Sequence, residues 1–183
     1  MSKNGLILLT PTTVDKTGGS STATISANGS VSFGLCETLR LNGVFSADYD
    51  NYMLVMRFTG SSGNDINIRF SSGGVDNSTA SSYRAQYLLV SSTTVSGYRT
   101  SAGTVGLWGY NRSTSGSGQV SWFYGPYLAQ PTAYRSVSAY DDSGADMVEV
   151  SGTHNQSASY DGIWFDPNGF TLSGRVAVYG MRK

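Results

Sequence analysis

The stretch Asn51-Tyr52-Met53-Leu54-Val55-Met56-Arg57-Phe58 decides the fold class. In an extended chain Tyr52, Leu54, Met56 and Phe58 fall on one side, the period of two that marks a half-buried β-strand. The same alternation recurs on both sides of it. Leu39 and Leu41 alternate with Thr38, Arg40 and Asn42, and Ile66, Ile68 and Phe70 with Asn67 and Arg69. Val120, Trp122 and Tyr124 share a face opposite Ser121 and Phe123. Phe170 and Leu172 give way to Val176 and Val178, with a bulge or bend expected at Gly174. Turn clusters separate these runs: 60–64, 72–74, 113–118, 141–144 and Asp166-Pro167-Asn168-Gly169. The last predicts a hairpin, because Pro presets one turn dihedral and Asn-Gly tolerates positive φ. Strands spaced roughly 10 to 15 residues apart, joined by short polar turns, predict an all-β fold. The expected architecture is an antiparallel β-sandwich, jelly-roll-like, with an extended N-terminal arm.

Composition agrees with that class and excludes others. Ser, Thr and Gly number 29, 17 and 23 of 183 residues, and Lys and Glu together only five, so helix bundles are excluded. With 12% aromatic and 39% apolar residues the chain can fill a core and is not disordered. Formal net charge is zero, which leaves no electrostatic footprint for nucleic acid, and none is expected as a partner. The lone Cys36 allows no internal disulfide and reads as a small buried hydrophobe. No apolar run approaches the roughly 20 residues of a membrane span, and Leu6 to Leu9 is too short for a signal peptide. The expected origin is therefore a cytoplasm, without membrane association.

Residues 1–30 differ from the rest. After Leu6, Ile7, Leu8, Leu9 and Pro11 the segment is small and polar, with Val14 and Ile25 its only large apolar residues. Such a segment cannot bury enough surface to fold alone. It reads either as a floppy tail or as a docking arm, ordered from Met1 onward by a strand laid against a partner chain. The arm is carried forward, with residues 31–183 as one β-sandwich domain.

The catalytic inventory is thin. His154 is the only histidine, no G-x-S-x-G elbow exists, and one His with one Cys cannot hold zinc. His154 reads as a hydrogen-bonded strand or surface residue. Nothing in sequence brings Glu37 and Glu149, the only glutamates, together as a glycosidase pair. The acidic clusters Asp48-Tyr49-Asp50-Asn51 and 141–146 are explained equally by Asx turns or by Ca²⁺ ligation. The expectation is no enzyme, no cofactor and no metal. The aromatics are richer: Trp108, Tyr110, Trp122, Phe123, Tyr124 and Tyr127 lie within 20 residues of one another. Three readings stand open for them: sandwich core, protein interface, or a glycan site on Trp108, Tyr110, Trp122, Tyr124 and Tyr127.

Three stretches carry a family likeness. Phe45 through Met56 resembles a strand-entry motif of small tailed-bacteriophage virion structural proteins and of phage fibre C-terminal domains, of the marine and cyanobacterial phage type. Phe123-Tyr124-Gly125-Pro126-Tyr127-Leu128 through Thr132 is similar to the middle strand pair of such domains. Ser159 to Phe165, with Gly169 to Lys183, resembles their closing hairpin. The resemblance covers roughly residues 31–183 and transfers no catalytic residue. It implies a jelly-roll module in which Asp48 and Asp50 accept turn hydrogen bonds and Tyr52 and Tyr179 pack. It further implies a head decoration, knob, head fibre or tail fibre module on the outer surface of a virion, homotrimeric and attached to other virion proteins. Host attachment through surface glycans is the alternative function.

Overall fold

A computed structural model describes residues 5–111, 116–141 and 144–182. Met1 and Asp142 lie outside the described residues. The described chain is all strand and turn. The order is β1 (Leu6–Leu9), β2 (Thr13–Thr17), β3 (Thr22–Ile25), β4 (Val31–Cys36), β5 (Thr38–Asn42), β6 (Asn51–Gly60), β7 (Asn64–Ser72) and β8 (Val75–Asp76). It continues with β9 (Tyr83–Ser91), β10 (Thr94–Gly103), β11 (Gly106–Asn111), β12 (Ser117–Tyr124), β13 (Thr132–Asp141), β14 (Ala145–His154), β15 (Gly162–Asp166) and β16 (Leu172–Met181).

Two antiparallel sheets pack as a jelly-roll-like sandwich. The larger runs β10-β9-β14-β13-β12-β6-β16-β4-β3, with β1 beside β16, and the smaller runs β11-β7-β15-β5-β2, with β8 beside β7. The period-two reading of β6 and β7 holds residue by residue. Tyr52, Leu54, Met56 and Phe58 meet Ile66, Ile68 and Phe70 in the core, with Leu39, Leu41, Phe165, Val176 and Val178. Phe70 stands edge-on to Phe123 at 6.0 Å, and Phe45 edge-on to Tyr52 at 4.7 Å. The Tyr52 hydroxyl also donates to the Ser46 carbonyl at 2.7 Å and accepts from the Ser46 amide at 2.8 Å, so one core ring pins the loop before β6. The expected irregularity at Gly174 is present, since the register of β16 against β4 shifts between Leu172 and Gly174.

Two expectations are corrected. Asp166 to Gly169 does form a tight turn, with Asn168 and Gly169 at φ 56° and 93°. It joins no hairpin, however, because β15 belongs to the small sheet and β16 to the large one. The turn dihedrals were readable locally, but β15 is held on both edges by β5 and β7, leaving no edge for β16.

The segment expected to dock on a neighbouring chain is strand-paired within its own. Leu6 to Leu9 pairs with Val178 to Met181, Thr13 to Thr17 with Thr38 to Asn42, and Thr22 to Ile25 with Val31 to Gly34. Leu9, Val14, Ala23 and Ile25 reach the core from these strands. An edge strand needs only one apolar row, and its backbone is satisfied by the neighbour, so a Ser/Thr-rich stretch suffices there.

One stretch of the interior is polar for a structural reason. The register of β11 slips between Leu107 and Gly109, turning main-chain carbonyls toward the large sheet. Gln119 Nε2 donates to the Trp108 carbonyl at 2.8 Å, the Ser136 hydroxyl donates to the same oxygen, and Tyr134 donates to the Leu107 carbonyl at 2.8 Å. Buried carbonyls need such partners, so the inward face of β12 and β13 carries hydroxyls and an amide among its rings. Gly109 permits the close approach, since a Cβ there would overlap the Gln119 amide.

Candidate functional site

The structure separates the sequence-derived aromatics. Trp108 is 0% exposed and lies edge-on to Phe165 at 5.0 Å. Tyr110 is half-buried against Tyr140 at 5.6 Å, and Tyr127 packs on the core from the loop after β12. Only Trp122 and Tyr124 share a solvent-facing surface. They sit two residues apart on the outward side of β12, opposite the buried Ser121 and Phe123. The glycan site expected on five aromatics is thus reduced to two, because the core claims the others.

His154 and Cys36 are also interior. His154 is fully buried, its ring stacked on Tyr83 at 4.2 Å with Nε2 2.6 Å from the Tyr160 hydroxyl, which accepts from Asn77 Nδ2 at 2.9 Å. Burial drives its pKa down to about 4, and burial raises the Cys36 thiol. Glu149 faces outward and binds Arg135, with Nε and a terminal nitrogen 2.8 and 2.7 Å from Oε1. Asp141 accepts from the Gly144 amide, and Asp146 from the Ser91 hydroxyl and Ser92 amide, so these two carboxylates serve turns. Among the described residues, no three His, Cys, Asp or Glu side chains are grouped as metal ligands.

The burial of His154 fixes a pH response. Its folded pKa lies below the ordinary value of 6.5, so the folded protein resists the proton that the unfolded chain accepts. Stability from this group is complete above pH 6.5 and falls as pH drops toward 4. Between pH 6.5 and 5, where no other side chain ordinarily titrates, the loss should be about 2 kcal/mol. Urea midpoints at pH 7.5 and 5 measure it, and identical midpoints would refute a neutral buried His154.

The two outer faces of the sandwich differ chemically. On the small sheet, Arg40 bridges Asp15 at 3.0 Å and Asp76 at 2.7 Å, and the Arg69 guanidinium covers Trp164 at 4.8 Å. Hydrogen bonding from Asn42, reinforced by Arg40, holds the Asp15 carboxyl below its ordinary pKa. That face is charge-balanced and covered. The large sheet presents an apolar belt instead. Strand registers line up Ala177, Val55, Val120, Val137, Glu149 and Leu88 across six strands. Leu6, Val55, Leu88, Val95, Tyr124 and Met147 on this face are six of the nine exposed large hydrophobics among the described residues.

Beside the belt, toward the His154 end of β14, lies an open groove of about 590 Å³. One row across it is Arg99, Gln86, Ser151 and Arg135, and the next is Arg84, Thr153, Ala133 and Tyr124, while Trp122 stands beside Arg135 on β12, outside the groove lining. Arg84 and Gln86 were missed in the sequence because they lie on β9, at least 22 residues before the aromatic cluster. Only strand pairing brings them together.

No protein-family model matches the chain, and no curated protein does. The groove and belt are therefore interpreted from chemistry. Among the described residues no helix is long and apolar enough to cross a membrane.

Proposed function

We propose that this protein is an accessory structural protein on the outside of a bacteriophage particle, a decoration, knob or fibre module that self-associates through the large sheet. The observation that carries the assembly reading is the apolar belt, in or beside which Val55, Leu88, Val95 and Met147 stand exposed on one face of the large sheet. Exposed apolar side chains gathered on one face mark interaction sites. The phage placement rests on the sequence likeness of residues 31–183. Zero net charge suits a subunit held in an assembly better than a free monomer. Docking by the N-terminal backbone is dropped from the proposal, since β1, β2 and β3 are paired in cis.

Two measurements test it. Sedimentation should find a species of three times 19.4 kDa, which Leu88→Glu with Met147→Glu reduces to one chain. Immunogold labelling of phage particles that carry the gene should decorate their outer surface. A monomer at all concentrations removes self-association, and unlabelled particles remove the virion role.

The second reading, recognition of host-surface glycans, is favoured by one feature. Tyr124 lines, with Trp122 next to it beyond Arg135, a groove whose floor is Ala133, Ser151, Gly152 and Thr153, small enough for a sugar ring to approach the backbone. The belt occupies the Met147 end of β14 and the groove the His154 end, so self-association leaves the groove open at the rim.

A further inference from the structure

The groove has a charge character that net composition hides. The chain carries equal numbers of acids and bases, yet three of its nine arginines, Arg84, Arg99 and Arg135, line this one groove. Arg135 is charge-paired, since Nε and a terminal nitrogen both bind a single oxygen of Glu149. Arg84 and Arg99 are exposed, and their guanidinium groups make no hydrogen bond or ion pair among the described residues. Both stand at the β9–β10 end, and Arg135 with the two aromatic rings at the β12–β13 end. From Arg99 to Arg135 is three strand steps, about 14 Å at the usual inter-strand spacing.

We propose that this groove binds an acidic saccharide, a sugar chain bearing carboxylate or sulfate groups. The assignment rests on the glycan reading above and adds its chemical class. Guanidinium groups present planar donor forks that fit carboxylate and sulfate oxygens, and such charge-assisted bonds are stronger than neutral ones. The Tyr124 ring offers a face for ring carbons, with Trp122 beside the groove on the same strand, while Gln86, Ser151 and Thr153 offer partners for hydroxyls. A nucleic acid fits less well. Three arginines and one glutamate leave two net positive charges, too few for the phosphate neutralisation that drives such binding.

Isothermal titration of the full chain tests this. The probes are tetragalacturonate, its carboxyl-reduced neutral counterpart, a sulfated tetrasaccharide of the chondroitin type, and oligothymidylate. The expected result is binding of one or both acidic sugars and of neither the neutral sugar nor the oligonucleotide. The acidic arms then separate carboxylate from sulfate preference. Arg84→Gln and Arg99→Gln should each weaken that binding about tenfold, and Trp122→Ala should weaken it as well. All three positions face outward, so melting temperatures should stay at the parent value. Equal affinity for the neutral tetrasaccharide overturns the acidic class and leaves the glycan reading standing. No affinity for any sugar overturns both. Tighter binding of oligothymidylate, or acidic-sugar binding indifferent to both arginine variants, overturns the assignment.

Discussion

Trp108→Ala should lower the melting temperature by about 10 °C or more, while Trp122→Ala leaves it within a few degrees of the parent. Trp108 is fully enclosed, with Phe165 against its ring at 5.0 Å. Truncating a buried aromatic to alanine leaves a cavity and costs roughly 3 to 5 kcal/mol, a large fraction of the stability of a domain. The damage also spreads along β11, because the Trp108 carbonyl is the acceptor for Gln119 and Ser136 in a polar stretch of the core. Trp122 stands on the opposite side of its sheet, so removing its ring opens no internal cavity. Thermal unfolding followed by near-ultraviolet circular dichroism compares the two. Equal losses would mean that the inward and outward assignments along β11 and β12 are wrong.

Deleting residues 1–30 should destabilise the sandwich itself, with losses on the order of 4 kcal/mol or more. The deletion removes three strands and the half-buried Leu9, Val14 and Ile25. It also strips Arg175 of Asn28 and Ser30, whose side chains accept from its guanidinium. The edges of β4 and β5 and the end of β16 lose their backbone partners together. Unpaired edges of that length invite sheet-to-sheet association. The truncated chain should therefore melt early and elute as aggregate in size-exclusion chromatography. A truncated chain that melts with the full one would show that this segment is not integral, and docking in trans would return as its role.

These two cases also show where the sequence was transparent. Tyr52 to Phe58 and Ile66 to Phe70 announce themselves because a strand with one core-facing side must alternate, and here nothing competes with that demand. Thr13 to Thr17 and Thr22 to Ile25 are mute by the same logic, since an edge strand closes its backbone on a neighbour while burying few side chains. On β12, Val120, Trp122 and Tyr124 do share a face, but sequence cannot say which face is inward. The apolar row lies outside because the slipped register of β11 asks Gln119 and Ser136 for inward donors. The turn at Asp166 to Gly169 was legible as a turn and not as a connection, for turn dihedrals are local whereas strand partners are not. Of the candidate groove, Tyr124 and its neighbour Trp122 were legible as part of an aromatic cluster. Arg84 was not, because its proximity to Arg135 is created by the β9–β14–β13 order, and a net charge of zero conceals a local surplus.

The pairing of β1 with β16 has a mechanical consequence. Leu6 lies directly across from Met181, so both ends of the folded chain leave the sandwich at one corner. A pull applied between those ends opens the β1–β16 ladder one residue pair at a time, like a zipper, and meets little resistance. A pull transmitted through the large sheet from some other anchor loads many ladder bonds at once and meets far more. A tether at either end therefore works as a weak release point, while the sheet face is the place to bear load.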